Sequence, residues 1–188
     1  QVIHANMVEK LLVPVLAKLS NFVPEAGIWL NTQRPEWNDA NNALAGFGAS
    51  VVTLCYLHRH LLLLEELLAS AEPDAIPIDR HVATFFEEMD ELIETQHDAL
   101  TCSVTDVTRR QVQDQLGLIG SRYRDRLQTS GLTGQTTLIQ KDCMIEFLTR
   151  SRSIIAQSIR ANRRADGLYH AYNLLRSEEH TSELQSQF

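Results

Sequence analysis

The sequence predicts an all-α protein built from successive helical hairpins. Three observations carry that expectation. Apolar residues recur at three- and four-residue spacing over several long stretches. No stretch shows the apolar–polar alternation of a half-buried strand. Short turns with Pro or Gly, at Pro73 to Pro77, Gly131 to Gly134 and Asp166-Gly167, separate the helical stretches.

The first helix is expected over Val8 to Leu19, where Met7, Leu11, Leu12, Val15, Leu16 and Leu19 share one side. Pro14 should kink it or mark a late start. A polar segment follows from Ser20 to Asn42, with Ile28-Trp29-Leu30 as a short extended piece inside it. Asn41 or Asn42 then offers an N-cap for a long helix over Ala43 to Ser70. The first half of that stretch, Ala43 to Leu57, is apolar or small on every side, which predicts burial all round. Its second half is amphipathic and ends before Pro73. Asp79 to Leu100 carries Val82, Phe85, Phe86, Met89, Leu92 and Ile93 on one side and acids on the other. Ser103-Val-Thr-Asp106 resembles a capping box for a helix over Val107 to Gln128. Gly131 and Gly134 end it, and Thr136 to Asn162 is the next expected helix. Arg160, Arg163 and Arg164 suit the negative end of that helix, and Leu168 to Leu175 begins a further element. One buried helix among amphipathic ones suggests two layers, an inner ring inside an outer one.

Composition narrows the class. The chain has 188 residues, 44% hydrophobic and 22% charged, an ordinary globular balance with enough length for one real core. A net charge of -7 argues against nucleic acid as a partner, because phosphate contacts need a positive surface. No apolar run is long enough to span a membrane. Cys55, Cys102 and Cys143 are scattered, without a CxxC pair, so neither a disulfide framework nor a zinc site is expected. Small buried core residues are the better reading for the two cysteines in apolar helical patterns. His58 and His60 flank Arg59 and point to different helix faces, which disfavours metal binding. The absence of disulfide patterning leans towards the cytoplasm.

The long polar segment is the functional candidate. Loops of that length in a compact domain are usually functional or disordered. This one holds both tryptophans, Trp29 and Trp37, with carboxylates at Glu36 and Asp39 and the amides of Gln33, Asn38, Asn41 and Asn42. Paired amide donors and acceptors suit sugar hydroxyls. Arg34 can hold a phosphate or carboxylate through two bonds.

Arg34-Pro-Glu-Trp-Asn-Asp-Ala-Asn-Asn-Ala-Leu44, followed by Gly46-Phe-Gly-Ala-Ser50, resembles the core of six-hairpin carbohydrate-active enzymes, the (α/α)6 toroids. The nearest flavour is the cellobiose-phosphorylase-like group and its bacterial relatives. Asp166-Gly-Leu-Tyr-His-Ala-Tyr-Asn173 is similar to a stretch of the same group, more faintly. The resemblance implies a partial toroid catalytic domain over residues 1–175 that cleaves a glycosidic bond in an oligosaccharide or glycoside. It implies Asp39 as general acid, with Trp37 shaping the sugar site. Glu36 is a second catalytic candidate, Arg34, Asn38, Asn41 and Asn42 would line that site, and Tyr169 and His170 are further substrate-binding candidates. No cofactor is implied. Inorganic phosphate is co-substrate if the enzyme is a phosphorylase, whereas an inverting hydrolase needs a second carboxylate to activate water. The chain departs from the pattern in placing Glu36 three residues before Asp39.

The chemistry constrains the roles. A carboxyl that protonates a leaving oxygen needs its pKa raised by burial or by a neighbouring acid. Trp37 can desolvate Asp39, and Glu36 adds like charge. A following helix N-terminus opposes them by roughly 0.3–1 kcal/mol. Asp39 also reads as a cap or precap beside Asn41 and Asn42, and Trp37 as a core residue. Two rival functions stand beside glycosidic cleavage. One is a sugar lyase or isomerase of the same architecture. The other is a non-catalytic helical module whose loop binds a partner.

The last stretch, Arg176-Ser-Glu-Glu-His-Thr-Ser-Glu-Leu-Gln-Ser186, resembles the in-frame translation of a sequencing adapter. Residues 176–188 are therefore expected to be an artefactual or disordered tail, and the chain a fragment of a longer enzyme.

Overall fold

The computed structural model describes residues 4–31, 44–131 and 134–175. Helix α1 spans Met7–Leu19 and runs through Pro14. Asn6 caps it, its side chain accepting from the Glu9 N–H at 2.8 Å. The chain then makes two short strands, β1 at Phe22–Val23 and β2 at Gly27–Trp29. Strand β3 covers Gly48–Ser50, and helix α2 follows over Val51–Ser70. Strand β4 (Ala75–Asp79) leads straight into helix α3 (Arg80–Leu100). Helix α4 occupies Asp106–Ser130. Strand β5 (Thr136–Gln140) runs directly into helix α5 (Lys141–Ala161), and strand β6 covers Tyr172–Leu174.

The all-α expectation is overturned, and with it the expected (α/α)6 toroid of helical hairpins. Five helices share the described residues with two antiparallel sheets, one in the order β1-β2-β3-β6 and one pairing β4 with β5. The reason is that each strand has only two to five residues and that, apart from the local β1–β2 pair, the pairings join segments distant in sequence. Phe22 faces Ile28, Ile28 faces Ser50, and Ser50 faces Tyr172 across the first sheet. Alternation cannot show in pieces so short.

Several boundaries move for the same reason. The helix expected from Ala43 begins at Val51, because Gly48-Ala49-Ser50 is a strand and Ser50 is the cap. Its hydroxyl accepts from the Thr53 N–H at 3.0 Å. The caps expected at Asn41 and Asn42 lie outside the described residues. Pro73 to Pro77 is not a simple turn, since Pro77 sits within β4 opposite Leu138. The helix expected from Thr136 begins at Lys141 for the same reason. Thr105, not Ser103, caps α4 through the Thr108 N–H. The tail from 176 to 188 lies outside the described residues.

The core lies where all five helices meet the two sheets. Leu12, Leu16, Leu54, Leu61, Leu64, Phe85, Phe147, Leu148 and Ile155 are fully buried. Helix α2 packs most extensively on α5, and α3 lies against both α4 and α5. Aromatic pairs fix those joins. Phe85 stacks on Tyr123 with centroids 4.4 Å apart, and Phe86 meets Phe147 edge-on at 5.1 Å. The all-round burial expected for Ala43 to Leu57 is not found, since Val52 is 42% and Tyr56 65% exposed. All three cysteines are exposed, which corrects the core reading of Cys55 and Cys143.

Candidate functional site

Arg34, Glu36, Trp37, Asn38, Asp39, Asn41 and Asn42 lie outside the described residues, and the structure defines the residues that flank them on either side. Strands β2 and β3 are antiparallel, with Ile28 opposite Ser50 and Trp29 opposite Ala49. The pairing continues one step further. The Leu30 N–H donates to the Gly48 carbonyl at 2.8 Å, and the Gly46 N–H donates to the Leu30 carbonyl at 2.6 Å. The segment between Asn31 and Leu44 therefore leaves and returns through two arms held side by side.

Side chains reinforce both arms. The Trp29 indole N–H donates to the Gly46 carbonyl at 3.1 Å. The Asn31 amide donates to Asn21 Oδ1 at 2.6 Å, and Asn21 in turn donates to the Ala17 carbonyl at 2.9 Å, so the outgoing arm is tied to the end of α1. The glycines make the close approach possible. Gly27 has φ +136°, and a Cβ there would meet the Ser50 backbone at 2.8 Å. A Cβ at Gly48 would meet Leu44 Cβ at 2.6 Å. Neither position admits a larger residue without moving a backbone or side chain on the returning arm.

The second stretch of interest arrives from the far end of the chain. Strand β6 pairs with β3, Gly48 opposite Leu174, Ala49 opposite Asn173 and Ser50 opposite Tyr172. The Val51 N–H donates to the Ala171 carbonyl at 2.9 Å, and the Leu175 N–H to the Phe47 carbonyl at 2.7 Å. Tyr169 and His170, both exposed, precede this strand. Tyr169 bridges to Arg163, and the His170 N–H donates to the Asn162 carbonyl at 3.0 Å. Arg34 to Ser50 and Gly167 to Asn173 are thus joined through one sheet, although more than a hundred residues separate them.

Beneath that sheet lies a polar hub that the sequence did not announce. The turn from Pro24 to Ala26 sits at its centre, with Glu25 at φ +60°. Asn173 donates to the Ala26 carbonyl at 2.7 Å and to Asn162 Oδ1 at 2.6 Å. Asn162 donates to the Glu25 carbonyl at 2.9 Å and the Ser158 carbonyl at 2.8 Å. The Glu25 N–H reaches Ser158 Oγ at 3.0 Å. The Glu25 carboxylate accepts from Arg109 at 2.9 Å and from the Val104 N–H at 3.2 Å. Arg109 also donates to the Pro24 carbonyl at 2.9 Å and pairs with Asp106. Each side-chain amide N–H of Asn162 and Asn173 is matched to one acceptor, so the start of α4, the end of α5 and β6 are locked to one turn. Glu25 escaped sequence reasoning because its role rests on a left-handed backbone conformation and on partners 79 to 137 residues away.

Several other titratable groups make contacts between elements. Among the described residues no cluster of three or more His, Cys, Asp or Glu could hold a metal ion. His60 Nε2 lies 2.9 Å from the Leu11 carbonyl. Burial lowers the His58 pKa, with Arg152 adding to the effect and Glu65 opposing it. A buried acidic pair joins α1 to β4. Glu9 and Asp79 are 8% and 4% exposed, and the Asp79 N–H donates to Glu9 Oε2 at 3.4 Å. Burial raises the Glu9 pKa; the Asp79 N–H opposes the rise and the Asp79 charge adds to it. Asp79 Oδ1 caps α3 through the His81 N–H at 2.9 Å. No helix among the described residues is long and apolar enough to cross a membrane. No protein-family model matches the chain, and no curated protein sequence matches it.

Proposed function

We propose that this protein cleaves glycosidic bonds, by hydrolysis or by phosphorolysis, with Asp39 as the proton donor to the leaving oxygen. One observation supports the reading above the others. The two stretches that resemble carbohydrate-active enzymes, Arg34 to Ser50 and Gly167 to Asn173, meet in the pairing of β3 with β6. Chance similarities at two remote places have no reason to lie on adjacent strands. The polar hub around Glu25 adds to this, because a catalytic carboxyl must be held to within a fraction of an ångström of its working position.

In this reading Asp39 delivers a proton to the glycosidic oxygen as the bond to the anomeric carbon breaks. Trp37 offers a face to the sugar ring and excludes water from Asp39. Asn38, Asn41 and Asn42 bind hydroxyls, and Tyr169 and His170 approach the substrate from the β6 side. Glu36 is the nearest carboxylate in sequence and keeps Asp39 protonated by like charge. Arg34 positions the attacking phosphate if the reaction is phosphorolysis.

A panel of oligosaccharides incubated with the protein, with and without inorganic phosphate, tests the proposal. Sugar release that depends on phosphate, with a sugar phosphate as product, establishes phosphorolysis. Release without phosphate establishes hydrolysis. No turnover of any glycoside under either condition overturns the proposal.

A further inference from the structure

Helix α2 is apolar on two opposite sides. Val51, Leu54, Leu57, Leu61, Leu64 and Leu68 are buried in the core. The opposite side carries Val52, Tyr56, Leu62, Leu63 and Leu67, each between 42% and 65% exposed. A surface helix normally offers one apolar stripe to the core and polar residues to water. The flanks of the outward side are already engaged. His60 faces the Leu11 carbonyl on α1, and Glu65 holds Arg152 of α5 at 2.9 Å.

The outward side has a charge pattern of its own. At 3.6 residues per turn, Arg59 and Glu66 fall along its centre line, two turns apart, with Leu62 and Leu63 to either side between them. Both charged residues are exposed, and among the described residues no ion pair engages either. The midpoint between Arg59 and Glu66 falls between Leu62 and Leu63.

We propose that this face pairs with the same face of a second copy of the chain, the two α2 helices running antiparallel about a two-fold axis at that midpoint. A two-fold contact uses one self-complementary patch on both subunits. Here the axis sets Arg59 of each copy level with Glu66 of the other, while Leu62 and Leu63 meet their own counterparts at the centre. The two Arg59 groups then stand about 10 Å apart along the helix direction, at a rise of about 1.5 Å per residue. A parallel pairing would set Arg59 against Arg59, so the charge pattern selects the antiparallel one. Val52, Tyr56 and Leu67 extend the apolar contact towards both ends. This inference is independent of the proposed activity.

Sedimentation equilibrium of the wild-type chain and three variants tests it, with circular dichroism confirming the helical fold of each. The wild type is expected to form a dimer. Arg59→Glu alone, or Glu66→Arg alone, sets like charges level with one another and is expected to weaken dimerisation by about tenfold or more. The double variant Arg59→Glu/Glu66→Arg restores complementarity and is expected to recover the dimer. A wild-type monomer at every concentration overturns the proposal and leaves the face to another partner. A dimer indifferent to the single exchanges, or not recovered by the double one, overturns it as well.

Discussion

The two sheets of this molecule both bury apolar side chains, and only one of them adds a network of directional polar bonds. The sheet of β1, β2, β3 and β6 has strands of two or three residues, buries Phe22, Val23, Ile28 and Ala49, and is further fastened by directional polar bonds. Asn173, Asn162, Glu25 and Arg109 link its strands and turn to two helix ends. The β4–β5 sheet has longer strands and is fastened by burial, with Ile76, Ile78 and Ile139 set into the core. Its one buried polar feature, the Glu9–Asp79 pair, is imperfectly matched, because Asp79 Oδ2 has no hydrogen-bond partner among the described residues. Apolar burial contributes more stability but tolerates small displacements. Directional hydrogen bonds contribute less each and fix orientation. The segment that carries the candidate site residues is joined at both ends to the sheet with the polar network.

Substitutions can separate the two modes. The largest effect is expected from a core side chain of the β4–β5 sheet. Ile78→Ala removes a fully buried side chain from β4 and should destabilise by about 3 kcal/mol in chemical denaturation, with little change at β6. Arg109→Leu comes next. It leaves the Glu25 carboxylate, 15% exposed, without its cation and frees the Pro24 carbonyl. A loss of about 2 kcal/mol is expected, with amide-exchange protection falling first at β6 and at the Pro24 to Ala26 turn. If both variants lose protection evenly across the molecule, the distinction between the sheets does not hold.

The smallest effect has a sign of its own. Because the folded-state pKa of Glu9 lies above its unfolded value, folding binds that proton more tightly than the unfolded chain does. The stability it supports is fully present below the ordinary glutamate value near roughly 4. It is lost as pH rises from there through the raised folded value. Glu9→Gln keeps the shape and removes the charge, so the variant should melt higher than wild type at neutral pH and lose that advantage in acid. A variant less stable than wild type at neutral pH would show instead that the Glu9 charge is needed.

The helices were legible because their apolar spacing is local. Val82, Phe85, Phe86, Met89 and Ile93 mark α3 without reference to any other part of the chain. The sheets were not, because strand identity in Gly48-Ala49-Ser50 is conferred by Trp29 on one side and Asn173 on the other. Read alone, those small residues look like the close-packed start of a helix. Ile28-Trp29-Leu30 was recognisable as extended, since its β-branched and aromatic residues stand out in a polar segment. At the site, the residue types between Gln33 and Asn42 pointed to a polar ligand, but nothing in them revealed Glu25 or Asn162 as supports. Asn162 acts through the backbone carbonyls of Glu25 and Ser158, which leave no trace in a pattern of side chains, and the Glu25 carboxylate acts through Val104 and Arg109, 79 and 84 residues away.

The most direct test compares wild-type protein with Asp39→Asn on a glycoside that the wild type turns over. Loss of a general acid should lower the rate by about 10²–10⁴-fold with the melting temperature unchanged. A rate within about twofold of wild type, too small a loss for any general acid, would contradict the assignment of Asp39 and remove the central claim.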